Sequence, residues 1–143
     1  MEPITHDGRL FAWWYAGENP LYRGCHLRGD EAGCTALMAL FEAIEASATP
    51  VSQLLPLSPA TAAVARVAGR AFRVIQQLAL HYDAGEASCW QTREDGATLH
   101  LHFGARELAL LQTALLRILK GEGNFALGDQ NDEQLLHFWP LAG

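Results

Sequence analysis

Two histidines on one short segment are the residues in this sequence best placed to do chemistry. His100 and His102 lie within residues 98–103, where apolar and polar residues alternate. This alternation is typical of a half-buried strand, and it places both imidazoles on one face, about 7 Å apart. Two imidazoles at that spacing are suited to bind a metal ion or to transfer a proton. The alternation alone also predicts a simpler arrangement, which we favour: a solvent-exposed face carrying the histidines, opposite a core face of Leu99, Leu101 and Phe103.

No catalytic or metal-binding motif accompanies these histidines. The three cysteines, Cys25, Cys34 and Cys89, are odd in number and lack the paired spacing of a structural zinc site. The chain has no nucleophile elbow, no zinc-protease motif and no glycine-rich phosphate loop. The acidic run at residues 129–133 lacks the glycine and the final glutamate of a calcium loop. We therefore predict no catalytic residue, no metal and no cofactor, and we expect free thiols in a reducing compartment.

Large aromatic side chains form the second group of candidate residues. In residues 9–15, rings and aliphatic side chains occupy both faces of a predicted strand. Such a strand is either covered on both faces or exposes an aromatic patch of the kind that marks a protein interface. Since Trp13 and Trp14 point to opposite faces, we expect one of them to be exposed if only one face is covered. The candidate binding residues are these aromatic side chains and the two histidines: Trp13, Trp14, Tyr15, Tyr22, His100, His102 and Trp139.

Two amphipathic helices are predicted to organise the rest of the chain. The first covers about residues 30–47, with Asp30 as its N-cap and an apolar stripe that includes Leu37, Phe41 and Ile44. The second covers about residues 105–120, with Leu111, Leu115 and Ile118 in its stripe and Gly121 as a left-handed cap. The apolar residues of the two stripes have the same spacing, so each residue of the first stripe corresponds to one in the second at a constant distance along the sequence. An internal duplication would produce this match, but so would many pairs of amphipathic helices.

The remaining segments predict short strands and one further helix. The strands form two hairpins, a single strand and an antiparallel meander: residues 9–15 with 21–28, residues 124–127 with 135–139, residues 51–57, and residues 77–82, 88–92 and 98–103. Residues 60–75 are predicted as a helix, with an ordered loop as the alternative. The fold class is therefore α+β: an antiparallel or mixed sheet of about six to eight strands with the two principal helices packed on it.

Size and charge limit the classes of function. At 143 residues the chain is predicted to be one globular domain, residues 1–143. Its formal net charge of -6, with only 10 Lys and Arg, argues against nucleic-acid binding, because phosphate recognition requires a basic face. No apolar run is long enough to cross a membrane, and the N-terminus does not match a signal peptide. We expect an acidic cytoplasmic protein of a bacterial type.

These limits favour a non-enzymatic protein-binding domain. Small acidic proteins without catalytic motifs include those that neutralise or regulate a partner, as immunity proteins do to bacterial toxins. One alternative is a small enzyme, or a ligand- or metal-binding domain, that uses His100 and His102 with Glu107 or Glu133 nearby. Another is a homo-oligomer whose aromatic strands form the subunit contact. We therefore expect a protein partner or self-association, and neither a nucleic acid nor a membrane.

Overall fold

Two helices and nine strands make up the described part of the chain, which comprises residues 6–15, 24–47, 49–61, 72–86, 89–122, 125–128 and 136–141 of a computed structural model. In chain order the elements are β1 (Leu10–Tyr15), β2 (Cys25–Gly29), α1 (Glu31–Glu45), β3 (Val51–Pro56), β4 (Phe72–Ile75), β5 (Gln77–Tyr82), β6 (Trp90–Asp95), β7 (Thr98–Phe103), α2 (Ala105–Leu119), β8 (Phe125–Leu127) and β9 (Leu136–Phe138). The α+β class is confirmed. The strand count lies slightly above the predicted range.

The strands form two mixed sheets. The five-stranded sheet has the order β4-β1-β2-β9-β8, and the four-stranded sheet has the order β3-β5-β7-β6. The predicted hairpins β1–β2 and β8–β9 are confirmed as antiparallel pairs. The predicted meander is wrong, because β5 pairs in parallel with β7, and β6 lies at the sheet edge beyond β7.

The two halves of the chain exchange strands. The five-stranded sheet combines β1, β2 and β4 of the first half with β8 and β9 of the second. The four-stranded sheet combines β3 and β5 of the first half with β6 and β7 of the second. In each half an antiparallel pair leads into a helix of 15 residues, and the strand directly after that helix enters the other sheet. The structure therefore repeats one topology twice, in keeping with the matched helix stripes.

The helices α1 and α2 pack against each other and against a core shared by both sheets. The carboxylate of Asp30 accepts a hydrogen bond from the backbone N–H of Gly33 at 2.7 Å, which confirms the predicted N-cap. Gly121 follows α2 with a φ of 80°, as a left-handed cap requires. Neither helix is long and apolar enough to cross a membrane. The six stripe residues are confirmed as core, each at most 2% exposed: Leu37, Phe41, Ile44, Leu111, Leu115 and Ile118.

β1 is a central strand, and both of its faces are covered. Leu10 and Ala12 face the main core, while Phe11 and Trp13 form a second apolar cluster with Ala60. Of the two alternatives that the sequence leaves open for this strand, the covered one is therefore correct.

The segment predicted as a helix over residues 60–75 is only partly described. Residues 62–71 lie outside the described part of the chain. The end of the segment, Phe72–Ile75, is strand β4 and pairs antiparallel with β1, so the helix prediction is wrong there. The side chains of Phe72 and Val74 pack on the second apolar cluster, which gives this short strand an apolar face to bury.

None of the three cysteines, all of which the structure describes, forms a disulfide. Cys25 and Cys34 are buried in the main core. Burial raises the pKa of both thiols, to about 12 for Cys34. These two residues are therefore small core side chains and not nucleophiles.

Candidate histidine site

Strand register aligns polar side chains across the outer face of the four-stranded sheet. Ser52 on β3 pairs with His81 on β5, His81 pairs with His102 on β7, and His102 pairs with Gln91 on β6. Side chains at paired positions of neighbouring strands point to the same face, so these four residues form one row. His100 lies two positions before His102 and therefore shares that face. The predicted common face of His100 and His102 is thus confirmed, and His81 joins them.

The three imidazoles are close enough to act together. One nitrogen from each of His81, His100 and His102 lies within 4.8 Å of the other two. Nε2 of His81 is 2.9 Å from Nδ1 of His100. The ring centroids of His81 and His102 are 4.4 Å apart. All three side chains are half-buried, so the cluster, which we call the histidine site, is accessible from solvent.

Ser52 orients the central ring of the site. Its Oγ lies 2.8 Å from Nδ1 of His81. This hydrogen bond leaves Nε2 of His81 directed at His100. A hydrogen bond to one ring nitrogen is how proteins fix which of the two nitrogens faces a ligand. Ser52 therefore has the position of an outer partner that supports a ligating histidine.

The surroundings favour the neutral form of all three histidines. Partial burial is the main cause that lowers the pKa of His81, His100 and His102. Arg93, which pairs with His100 from β6, lowers the pKa of each further, and neighbouring histidines do so for His81 and His102. Asp95 has a smaller, opposite effect on the pKa of His100. Only a neutral imidazole binds a metal ion, so near neutral pH the histidine site has the required protonation state.

A cleft of about 300 Å³ opens beside the histidine site, next to the carboxyl ends of β5 and β7. His81 and His102 form part of its wall, together with the acidic residues Asp83 and Glu86. The other lining residues are Pro50, Val51, Ser52, Tyr82, Cys89 and Phe103. The site thus combines three nitrogen donors with a neighbouring space large enough for a small molecule.

The predicted aromatic binding residues that the structure describes lie in or next to the five-stranded sheet, apart from the histidine site. Trp13 is 1% exposed and stacks on His26, with ring centroids 5.6 Å apart. Trp14 is half-buried against the main core. Trp139 is half-buried, and its Nε1–H donates to Nδ1 of His26 at 3.0 Å. The sequence predicts an exposed tryptophan on β1 only for a strand covered on one face, and this strand is covered on both faces.

Four further residues were named from the sequence, and the side chain of one of them, Glu107, is described. Tyr22, Glu133 and the side chain of Tyr15 lie outside the described residues. Glu107 is buried, and its Oε1 accepts a hydrogen bond from the backbone N–H of Cys89 at 2.5 Å. This carboxylate ties the start of α2 to the segment before β6 and does not belong to the group of possible metal ligands.

Sequence reasoning did not connect His81 with the other two histidines because it predicted β5, β6 and β7 as a meander. In a meander β6 separates β5 from β7, and His81 is then two strands away from His100. The alternation in residues 77–82 does place His81 on the polar face of its strand. The parallel pairing of β5 with β7 is what brings it to His102.

No family model, curated protein or solved structure matched the chain in our comparisons. Function therefore has to be argued from the chemistry of the site.

Proposed function

We propose that the protein binds a divalent transition-metal ion through His81, His100 and His102. The observation that carries this proposal is the convergence of three imidazole nitrogens, within 4.8 Å of one another, on one face of a sheet. Metal–nitrogen bonds of about 2.0–2.1 Å allow two ligands of one ion to be at most about 4.2 Å apart, so the most distant of these donors have to move closer to share an ion. This proposal is the metal-binding alternative that the sequence left open, with His81 added as a third ligand.

For the pair His81 and His100, the change needed to accept an ion is small. Two ligands at a tetrahedral angle on one ion lie about 3.3 Å apart, compared with 2.9 Å between Nε2 of His81 and Nδ1 of His100. Two lone pairs do not face each other at that distance, so a proton lies between these nitrogens. When the ion takes its place, the ring that held this proton carries it on its other nitrogen and stays neutral.

The ring of His102 also has to turn, because Ser52 holds the ring of His81. Their planes are stacked and inclined by only 12°, whereas an ion lies close to the plane of each imidazole that binds it. Rotation of one ring about its Cβ–Cγ bond removes this conflict. Both rings are half-exposed, so this rotation does not disturb the core.

The donor set selects the class of ion. Imidazole suits zinc, copper, nickel and cobalt, whereas magnesium and calcium take oxygen ligands. The positive charge of Arg93 across from His100 opposes any cation, so we expect moderate affinity, with Cu(II) bound most tightly as the general order of divalent ions requires.

Calorimetric titration of the metal-free protein with Zn(II) tests the proposal. We expect one ion per chain, and a loss of binding in each of the single variants His81→Ala, His100→Ala and His102→Ala. His137→Ala is the matched control, because His137 stacks on His26 in the other sheet, with centroids 4.6 Å apart. Equal zinc binding by the wild-type protein and His100→Ala would contradict the proposal.

The cytoplasmic location predicted from the sequence is part of this proposal. Cysteines that form no disulfide, two of them in the core, support a reducing compartment. Alkylation of the protein unfolded without reductant tests this point. Three modified thiols are expected, and a mass lower by two hydrogens in the unmodified chain would contradict it.

The protein-binding function predicted from the sequence stays a second proposal. The observation in its favour is a pair of exposed apolar side chains on α2, Leu110 at 43% and Leu116 at 46%. The buried Trp13 no longer supports it. Size-exclusion chromatography of the wild-type protein beside Leu110→Asp tests self-association through this helix. Monomers of equal size in both samples would count against the oligomeric form of the proposal.

A further inference from the structure

We infer that the bound ion keeps one coordination position open toward the cleft, where an uncharged exogenous donor replaces a water ligand. This inference rests on the proposed metal site. Within the described part of the chain, the group that can reach one ion contains three imidazoles and neither a carboxylate nor a thiolate. Zinc-type ions take four ligands, and sites with three protein ligands hold water or a small molecule in the fourth position.

The sheet determines which side of the ion stays open. Ala79 pairs with His100 on the outer face and is fully buried, so the strands close the site from below. The cleft lies on the accessible side, and His81 and His102 belong to its wall. A fourth ligand therefore reaches the ion through the cleft.

The charges of the cleft select the kind of ligand. Asp83 and Glu86 contribute two carboxylates, and none of the described lining residues is a lysine or an arginine. Arg93 pairs with His100 from β6 and is not part of the wall of the cleft. These carboxylates weaken the attraction that the ion and Arg93 exert on an anion, and they leave a neutral molecule unaffected. Pro50 and Val51 add apolar surface, so a neutral donor with an apolar body, such as imidazole, is favoured over azide.

Cys89 is the side chain able to close the fourth position instead. It lines the same cleft, and thiolate is a strong ligand for zinc and cobalt. It is not within the group of converging ligand atoms. Its backbone N–H is held by Oε1 of Glu107 at 2.5 Å, which ties this segment to α2. The geometry therefore favours an open position over a fourth protein ligand.

Absorption spectroscopy of the Co(II)-loaded protein tests this inference, because the visible bands of cobalt report its coordination. We expect visible bands without a thiolate-to-cobalt charge-transfer band. Imidazole should shift the visible bands at lower concentration than azide does. Glu86→Gln should improve azide binding by about two- to fivefold, the usual effect of one exposed charge. Cys89→Ser should leave the spectrum unchanged. His100→Ala, which lacks one of the three ligands, is the control without a metal site.

Three results would overturn the inference. The first is a charge-transfer band that disappears in Cys89→Ser, which would make that thiolate the fourth ligand. The second is a spectrum that neither imidazole nor azide shifts before the metal is removed. The third is tighter binding of azide than of imidazole. Failure of the metal site itself is distinguishable, because the protein would then show no visible bands at all after cobalt is added.

Discussion

At the scale of single residues, the contact among three imidazoles makes stability depend on pH. Burial, neighbouring histidines and Arg93 lower the pKa of His81 and His102, and burial and Arg93 lower that of His100. An unperturbed histidine titrates near pH 6.5. As the pH falls below about 6.5, the unfolded chain therefore binds more protons at these positions than the folded protein does.

We therefore expect acid to destabilise the metal-free protein through these three residues. Their contribution to the free energy of unfolding should be constant above about pH 7 and should decrease as the pH falls through about 6.5 toward the lowered values. Denaturant unfolding of the wild-type protein and of a triple variant with glutamine at 81, 100 and 102 measures the difference. An equal pH dependence of the two proteins would contradict the lowered pKa values.

The tryptophans of β1 are expected to behave as packed residues. Trp13 is 1% exposed in the second apolar cluster, so Trp13→Ala should lower the free energy of unfolding by about 3–5 kcal/mol. Trp14 is half-buried, so Trp14→Ala should cost less. Denaturant unfolding measures both. A nearly unchanged denaturant midpoint in Trp13→Ala would contradict the core role and support the interface role that the sequence predicts for this residue.

At the scale of elements, consecutive leucines of α2 have opposite surroundings. Leu115 is fully buried in the main core, and Leu116 is 46% exposed. Leu115→Ala should lower the free energy of unfolding by about 2–5 kcal/mol, the transfer loss plus the cavity. Leu116→Ala, the matched control, should change it by less than about 0.5 kcal/mol. Similar losses in the two variants would mean that the buried face of α2 is assigned wrongly.

The elements that the sequence predicted correctly are those with local signals. Asp30 and Gly121 mark helix ends by their own residue type, and each stripe repeats within one helix. The pairing of β5 with β7 has no such signal. Alternation fixes the face that His81 occupies, but it does not say which strand lies beside it. Strand β4 was missed because it follows an alanine-rich segment typical of a helix.

At the scale of the whole molecule, neither half of the chain contains a complete sheet. The parallel pairs β2–β9 and β5–β7 are the strand junctions between the halves. We expect residues 1–86 and 87–143, produced as separate fragments, to be unfolded alone and to regain structure when mixed, because each then supplies strands that the other lacks. Circular dichroism of the fragments and of their mixture tests this. A folded isolated fragment would show that one half is independently stable.

The histidine site lies across one of these junctions, with His81 on β5 and both of its partners on β7. An ion bound there fastens two halves of the chain that meet through paired strands and that no disulfide connects. By linkage, zinc at about 100 times its dissociation constant should tighten the association of the two fragments about 100-fold. The fragment that carries His81→Ala should show no such gain. Metal supply would then set not only what the protein binds but how firmly its two halves hold together.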